Sequence, residues 1–264
     1  MKNEILKKLN DLEKIYSVKI LFASESGSRA WGFSSVDSDY DVRFIYIRNY
    51  FDYLSLTRPA DTICPKIDGV FDINGWDVVK YLLHIGKSNA QIIEWIYSPQ
   101  QYMDAYDFKD IMIKTSKKFY DKKRMLAHYF GLAKSFKEKI FSLEKIRLKD
   151  YFYALRSLFC CKWIMLNESP PPVDFFDLIS RIQIEKDIRE IINDINRQKQ
   201  KTVENEVQNK IAELDCFIAD NIVSLNSELD NLTSRQIDNM SLNKIFLSIL
   251  DKVWNTDFEK NYKP

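Results

Sequence analysis

The sequence predicts an α+β fold: a small mixed sheet with helices packed on it, followed by an all-helical C-terminal domain. Apolar runs of strand length occur before about residue 105, and beyond that point only helical spacing is convincing. Glycine and proline are scarce, 6 and 7 in 264 residues, which argues against sandwiches and barrels. Hydrophobic residues make up 45% and charged residues 29%, a globular composition. The pattern change falls near 105–115, and the domains are read as 1–110 and 111–264.

The first fifteen residues carry Ile5, Leu6, Leu9, Leu12 and Ile15 at helical spacing, with charges between them. They form an amphipathic helix; a secretory signal needs an unbroken apolar run. Val18 to Ala23 read as a buried strand, and Ser24 to Ser28 turn the chain. Residues 29–33 open a short helix or loop, and a second strand runs over about 40–47. The connection 48–69 contains Pro59 and Pro65, and a third strand follows at about 70–74. Asp77 caps a helix over 77–86, and a further helix spans 89–97 before Pro99. Later helices are expected at 107–119, 122–147, 150–166, 174–181, 184–198, 203–225 and 241–254, interrupted by Pro170, Pro171 and Pro172.

Net charge is +1, so overall charge names no partner. Its distribution is uneven: residues 37–77 hold eight acids and four bases, and 115–156 hold twelve bases and four acids. Solvated helix faces account for such runs; an acidic centre served by a basic segment is the functional alternative. Cys64, Cys160, Cys161 and Cys216 lack C-x-x-C spacing, and His84 and His128 are the two histidines, which argues against a structural zinc site. Free thiols fit a reducing cytoplasm, and no stretch approaches the ~20 apolar residues a membrane span needs. The expected location is therefore cytoplasmic, without a membrane partner.

The informative segment is Gly27-Ser28, then ten residues, then Asp39-Tyr40-Asp41. Glycine lets backbone approach a ligand closely, and serine adds a hydroxyl beside free N–H groups, a phosphate cradle if a helix starts there. Asp39 and Asp41 lie two apart on the second expected strand, which points both carboxylates to one face. Side by side they repel unless a cation lies between them, and a hard, oxygen-preferring Mg²⁺ suits that place. Asp72 on the third strand completes a three-carboxylate cluster if the two strands pair. Either half alone is common: a Gly-Ser pair is uninformative, and D-x-D is usually an exposed edge or turn. Their combination after an apolar strand is rarer.

GSRAWGFSSVDSDYDVRFIYI (27–47) resembles the signature of the polymerase-β-type nucleotidyltransferases. More narrowly, it is similar to the RNA-repair-associated RlaP or YcgL-like family. DINGWDVVKYL (72–82), KSNAQIIEWIYSP (87–99), the pair His128-Tyr129, YFYALRSLFCCKWI (151–164) and Pro170-Pro171 extend the likeness to about residue 172. The resemblance implies the nucleotidyltransferase fold, with Gly27 and Ser28 cradling nucleotide phosphates and Asp39, Asp41 and Asp72 as catalytic metal ligands for Mg²⁺ or Mn²⁺. Tyr40 stands where the broader superfamily carries an aliphatic residue; the narrower family shares it.

Arg29 is a candidate for phosphate oxygens, with an ion pair to Asp37 or Asp39 as its structural alternative. Arg43, on the face of Asp41, reads as a structural ion pair. Arg156 lies in an otherwise apolar helix and needs a partner, either a carboxylate such as Glu94 or a triphosphate. Trp31 reads as buried core, Lys80 as solvated and His128 as structural. The expected reaction moves a nucleoside monophosphate from an NTP to an acceptor hydroxyl or amine, releasing pyrophosphate. RNA is the acceptor named first, with a small molecule or protein as alternatives. The rival reading is a catalytically silent nucleotide- or RNA-binding or antitoxin-like regulatory protein, whose protein partner the sequence does not name.

Overall fold

The structure, a computed structural model, describes residues 1–262 except 202, 204 and 205; the side chains of 226 and 227 also lie outside the described set. In chain order the elements are α1 (Lys2–Tyr16), β1 (Lys19–Glu25), α2 (Gly27–Ala30), β2 (Tyr40–Ile47), α3 (Tyr50–Leu54), β3 (Thr62–Ile63), β4 (Phe71–Asp77), α4 (Val78–Gly86), α5 (Ala90–Tyr97) and β5 (Gln101–Asp104). Beyond them come α6 (Phe108–Lys118), α7 (Lys122–Ser142), β6 (Lys145–Arg147), α8 (Leu148–Leu166), α9 (Phe175–Ser180), α10 (Lys186–Lys199), β7 (Val207–Asn209), α11 (Ala212–Asp230), α12 (Asn239–Trp254) and α13 (Phe258–Asn261).

The chain divides into two interleaved units. The first comprises Met1–Ser26, Asp39–Tyr120 and Gln236–Pro264; the second comprises Gly27–Ser38 and Asp121–Arg235. The sequence pattern cuts the chain once, between 110 and 111, whereas here two excursions separate the units.

Unit 1 is built on a five-stranded mixed sheet in the order β3-β4-β2-β1-β5, the α+β class expected. β2 and β4 run parallel, with Tyr40 opposite Phe71 and Asp41 opposite Asp72; the other neighbours are antiparallel. Period-two alternation divides the strands between two faces. Val42, Phe44 and Tyr46 of β2 join Phe71 and Ile73 of β4 in a core with Ile5, Leu9 and Leu12 of α1. Trp76 of β4 packs in the other direction, 5.1 Å from Trp95 of α5 and 4.9 Å from His84 of α4. Gly75 fixes the β2–β4 packing, because a Cβ there would lie 2.1 Å from the Phe44 ring.

Unit 2 carries α7, α8, α9, α10 and α11, with α8 in contact with the other four. Phe33 stacks on Phe152 at 4.8 Å, and Phe175 sits edge-on to both rings, at 5.8 and 5.6 Å. Asp150 of α8 is buried and held by Lys139 at 2.7 Å and Arg147 at 3.1 Å, a satisfied internal charge cluster.

The expected all-helical C-terminal domain is corrected here, since β6 and β7 pair antiparallel, Lys145 to Asn209 and Arg147 to Val207. The pairing shortens the helix expected at 122–147, which ends at Ser142. The helix expected at 203–225 falls partly on 204 and 205, outside the described residues; β7 and the start of α11 occupy much of the remainder.

Candidate active site

β1 ends in Ser24-Glu25, polar residues that follow the apolar, buried run Ile20–Ala23. Glu25 is fully buried. Its carboxylate accepts the Asp41 N–H at 2.9 Å and a short hydrogen bond from the Tyr102 hydroxyl of β5. Ser26 N–H donates to the Asp41 carbonyl at 2.8 Å. The Asp41 backbone is thus gripped through both its N–H and its C=O, which sets where its side chain leaves the sheet. Sequence reasoning misses Glu25, although a signal for it exists: an acid ending an apolar strand must find donors.

From this frame two of the three expected carboxylates, Asp41 and Asp72, face each other, and Asp39 lies near enough for its charge to act on Asp41. Asp41 and Asp72 stand directly opposite on adjacent parallel strands. Arg43, two residues along β2, lies between them: one guanidinium nitrogen donates to Asp41 Oδ1 at 3.0 Å and to Asp72 Oδ2 at 2.8 Å. The other donates to the Asp72 carbonyl at 2.9 Å. The structural ion pair expected for Arg43 is therefore present. Burial pushes the Asp41 carboxyl above the usual aspartate range; the Arg43 charge opposes this, and the neighbouring Asp72 and Asp39 add to it. Asp39 is exposed just before β2. The cluster is hard, oxygen-rich and short of positive charge, and it already draws one cation between its members, features that suit a divalent ion. In the geometry present, no group of three His, Cys, Asp or Glu side chains among the described residues is arranged to hold a metal ion.

The remaining expected site residues belong to unit 2. Gly27 opens α2 with φ 62°, a left-handed conformation that suits glycine. Ser28 is buried, and its carbonyl accepts the Phe33 N–H at 3.1 Å. Arg29 donates through Nη2 and Nε to the Ser38 carbonyl at 2.6 and 3.2 Å, closing the 27–38 excursion on itself. Arg156 is buried with its guanidinium 4.4 Å from the centroid of Trp31 and 6.0 Å from that of Tyr129, and it donates to the Val173 carbonyl at 3.4 Å. An aromatic face is thus one partner of this arginine. The basic segment is partly committed as well: Lys122, Arg124, Lys139 and Arg147 form ion pairs inside unit 2.

Among the described residues no helix is long and apolar enough to cross a membrane. The protein named "Uncharacterized protein YcgL" from Bacillus subtilis (strain 168) is 32% identical over 255 residues, covering 96% of this chain and 98% of its own. A crystal structure of a nucleotidyltransferase-like protein from Exiguobacterium sibiricum 255-15 aligns over 91% of this chain and 77% of that one, at 12% identity and a TM-score of 0.30. Residues 1–248 match the family described as "RlaP: RNA repair pathway DNA polymerase beta family". On that near-complete match and the full-length relative, the chain belongs to the RlaP family.

Proposed function

We propose that the protein is a metal-dependent nucleotidyltransferase that moves a nucleoside monophosphate from an NTP to an acceptor hydroxyl or amine. The observation that carries this reading is the opposition of Asp41 and Asp72 across β2 and β4, with Asp39 adding its charge from the strand entry. Asp39, Asp41 and Asp72 would hold Mg²⁺ or Mn²⁺. Such an ion neutralises triphosphate charge and makes an attacking hydroxyl more acidic. Asp72 is the candidate base for the acceptor proton. The acceptor oxygen or nitrogen attacks the α-phosphorus, the bond to the β-phosphate bridging oxygen breaks, and pyrophosphate leaves with that electron pair. Gly27, Ser28, Arg29 and Arg156 are proposed to meet the nucleotide phosphates. Glu25 positions Asp41 through its backbone and touches no substrate in this scheme.

RNA is the favoured acceptor, on the family description and on the twelve bases of 115–156. Phosphate contacts release counterions, so charge reversal at Lys134 and Lys149 should weaken RNA binding and flatten its salt dependence while sparing NTP binding. Identical salt slopes for wild type and the double reversal would remove segment 115–156 as an RNA-binding wall and leave the acceptor class open.

One observation favours a silent binder instead: Arg43 already bridges the facing pair and answers its charge. The deciding assay incubates the full chain with each α-³²P-labelled NTP, Mg²⁺ or Mn²⁺, and RNA, protein or metabolite extract. The transferase reading expects label transfer that EDTA abolishes and Asp41→Asn sharply lowers. NTP binding without transfer under every condition would establish the silent reading.

A further inference from the structure

The parallel strands β2 and β4 have a second end. Five residues beyond the Asp41–Asp72 pair, about 16 Å away at roughly 3.3 Å per residue, Tyr46 stands opposite Asp77. Just past this point lies a cavity of about 600 Å³, enclosed by the end of β2, α3, the loop before β3, and α4. Crevices outside the carboxyl ends of parallel strands are where open sheets take ligands, and this volume falls in the range of small-molecule sites.

We propose that this cavity is a second binding site, for a phosphorylated small molecule of nucleotide size that carries a ring. Lys80 and His84 stand on one face of α4 at spacing i, i+4, Lys87 caps its C-terminus, and Arg48, just past β2, and Arg58, in the loop, line the same cavity. Most of the opposing acid is already committed. Asp61 pairs with Lys80 at 2.9 Å. Asp77 is buried, and it accepts the Val79 N–H at the start of α4 and the Tyr53 hydroxyl at 3.0 Å. That leaves Asp52 against Arg48, Arg58 and Lys87.

The side chains of Arg58 and Lys87 are exposed and make no hydrogen bond or ion pair among the described residues, the Lys87 backbone N–H being used to cap α4. Arg48 donates to the Ala60 carbonyl at 3.0 Å, yet its Nε is buried with no hydrogen-bond partner. A buried, unanswered guanidinium N–H at a basic cavity wall is a donor that an anionic oxygen can satisfy. Burial, together with the charges of Lys87 and Lys80, holds His84 below its ordinary pKa, consistent with positive potential in the cavity.

The adjoining space suits a ring. A smaller cavity of about 210 Å³ shares Tyr53, Arg58, Val79 and Leu83 with the first and is otherwise lined by Leu82, Leu242, Asn243 and Phe246. Charge on one side and apolar wall on the other fit an amphipathic phosphomonoester better than a bare anion.

The test titrates metal-free full-length protein with AMP, inorganic phosphate and adenosine by calorimetry, while proton NMR follows the imidazole signals of His84 and His128. AMP is expected to bind saturably and to move the His84 signals. Asp72→Asn should leave that affinity unchanged, and Arg58→Glu with Lys87→Glu should weaken it at least tenfold. Both side chains are exposed, so the fold survives, and the milder Arg58→Ala with Lys87→Ala should weaken it in the same direction. Adenosine and phosphate should each bind at least tenfold more weakly than AMP. The proposal is overturned by no saturable AMP binding at millimolar concentration, by binding that leaves His84 unmoved, or by affinity indifferent to both double variants. Phosphate binding as tightly as AMP overturns the ring-bearing ligand. Because metal is absent throughout, failure of nucleotidyl transfer leaves these outcomes intact.

Discussion

The two ends of the β2–β4 pair are built from the same strands and carry opposite chemistry. At the entry, Asp39, Asp41 and Asp72 crowd acid together, with one arginine holding two of them apart. At the exit, arginines, lysines and a histidine surround a cavity whose acids are mostly paired or capping a helix. One sheet thus presents a cation-seeking edge and an anion-seeking edge about 16 Å apart. Parallel pairing makes this possible, because it puts both strand entries at one end and both exits at the other.

The largest expected effect lies at the acidic end. Asp41→Asn and Asp72→Asn should each lower nucleotidyl transfer by on the order of 10²–10³-fold, the scale of removing one preorganised electrostatic group. Circular dichroism and denaturant midpoint should show the fold retained. Wild-type turnover in either variant would end the assignment of catalysis to this edge.

Glu25→Gln tests whether the acidic end needs its buried frame. The amide keeps an acceptor for the Asp41 N–H but loses the charge that Tyr102 answers. Transfer should fall about tenfold, on the scale of a misplaced reacting group, with kcat affected more than KM. Tyr102→Phe should change transfer in the same direction, with a stability loss of about 1 kcal/mol from one hydrogen bond. Unchanged kcat in both variants would reduce Glu25 to a structural acid.

At the basic end, Asp77→Ala removes the cap of α4 and the Tyr53 partner. About 1–2 kcal/mol should be lost in urea unfolding, with transfer unaffected. Asp77→Asn is subtler. Burial raises the Asp77 carboxyl, against the Val79 N–H and the Tyr53 hydroxyl, which lower it. A raised folded pKa contributes stability that is fully present below the unfolded aspartate value and lost as pH rises through the folded one. Asn, which caps well and does not ionise, should therefore gain on wild type as pH rises through the carboxylate range. The opposite trend would show that the capping bonds outweigh burial.

The smallest effect is the stability of Asp41→Asn. Asp41 is also raised, so in metal-free protein the variant should match or slightly exceed wild-type stability above the carboxylate range. The gap should close on acidification, checked by thermal melts across pH.

Much of the acidic end is legible in the sequence because strand periodicity is local. Asp39-Tyr40-Asp41 entering an apolar strand, and Asp72 in another, set which face each carboxylate takes once the strands pair. Glu25 is within reach of the same reasoning. β5 is not: Gln101-Tyr102-Met103-Asp104 has no strand alternation and is a strand only because the edge of β1 is available to it. β6 and β7 are three residues each and exist through their mutual pairing across sixty residues of chain. The apolar helix around Arg156 shows that this arginine needs a partner, but the Trp31 ring lies 125 positions away, beyond any local pattern. The interleaving of the two units is likewise a property of long-range contacts.

That interleaving imposes an order of events on the ribosome. All of unit 2, residues 27–38 and 121–235, is synthesised before residues 236–262, which unit 1 needs. Those late residues carry α12, which lays Leu242 against Gly86 and Phe246 edge-on to Tyr53, and whose Trp254 indole donates to the Arg48 carbonyl at 3.1 Å. A nascent chain can therefore assemble the acidic strand entries and the helical unit early. The apolar annex of the basic cavity is the last piece to close, and a growing chain halted near residue 235 would expose its sheet-end apolar surface to chaperones.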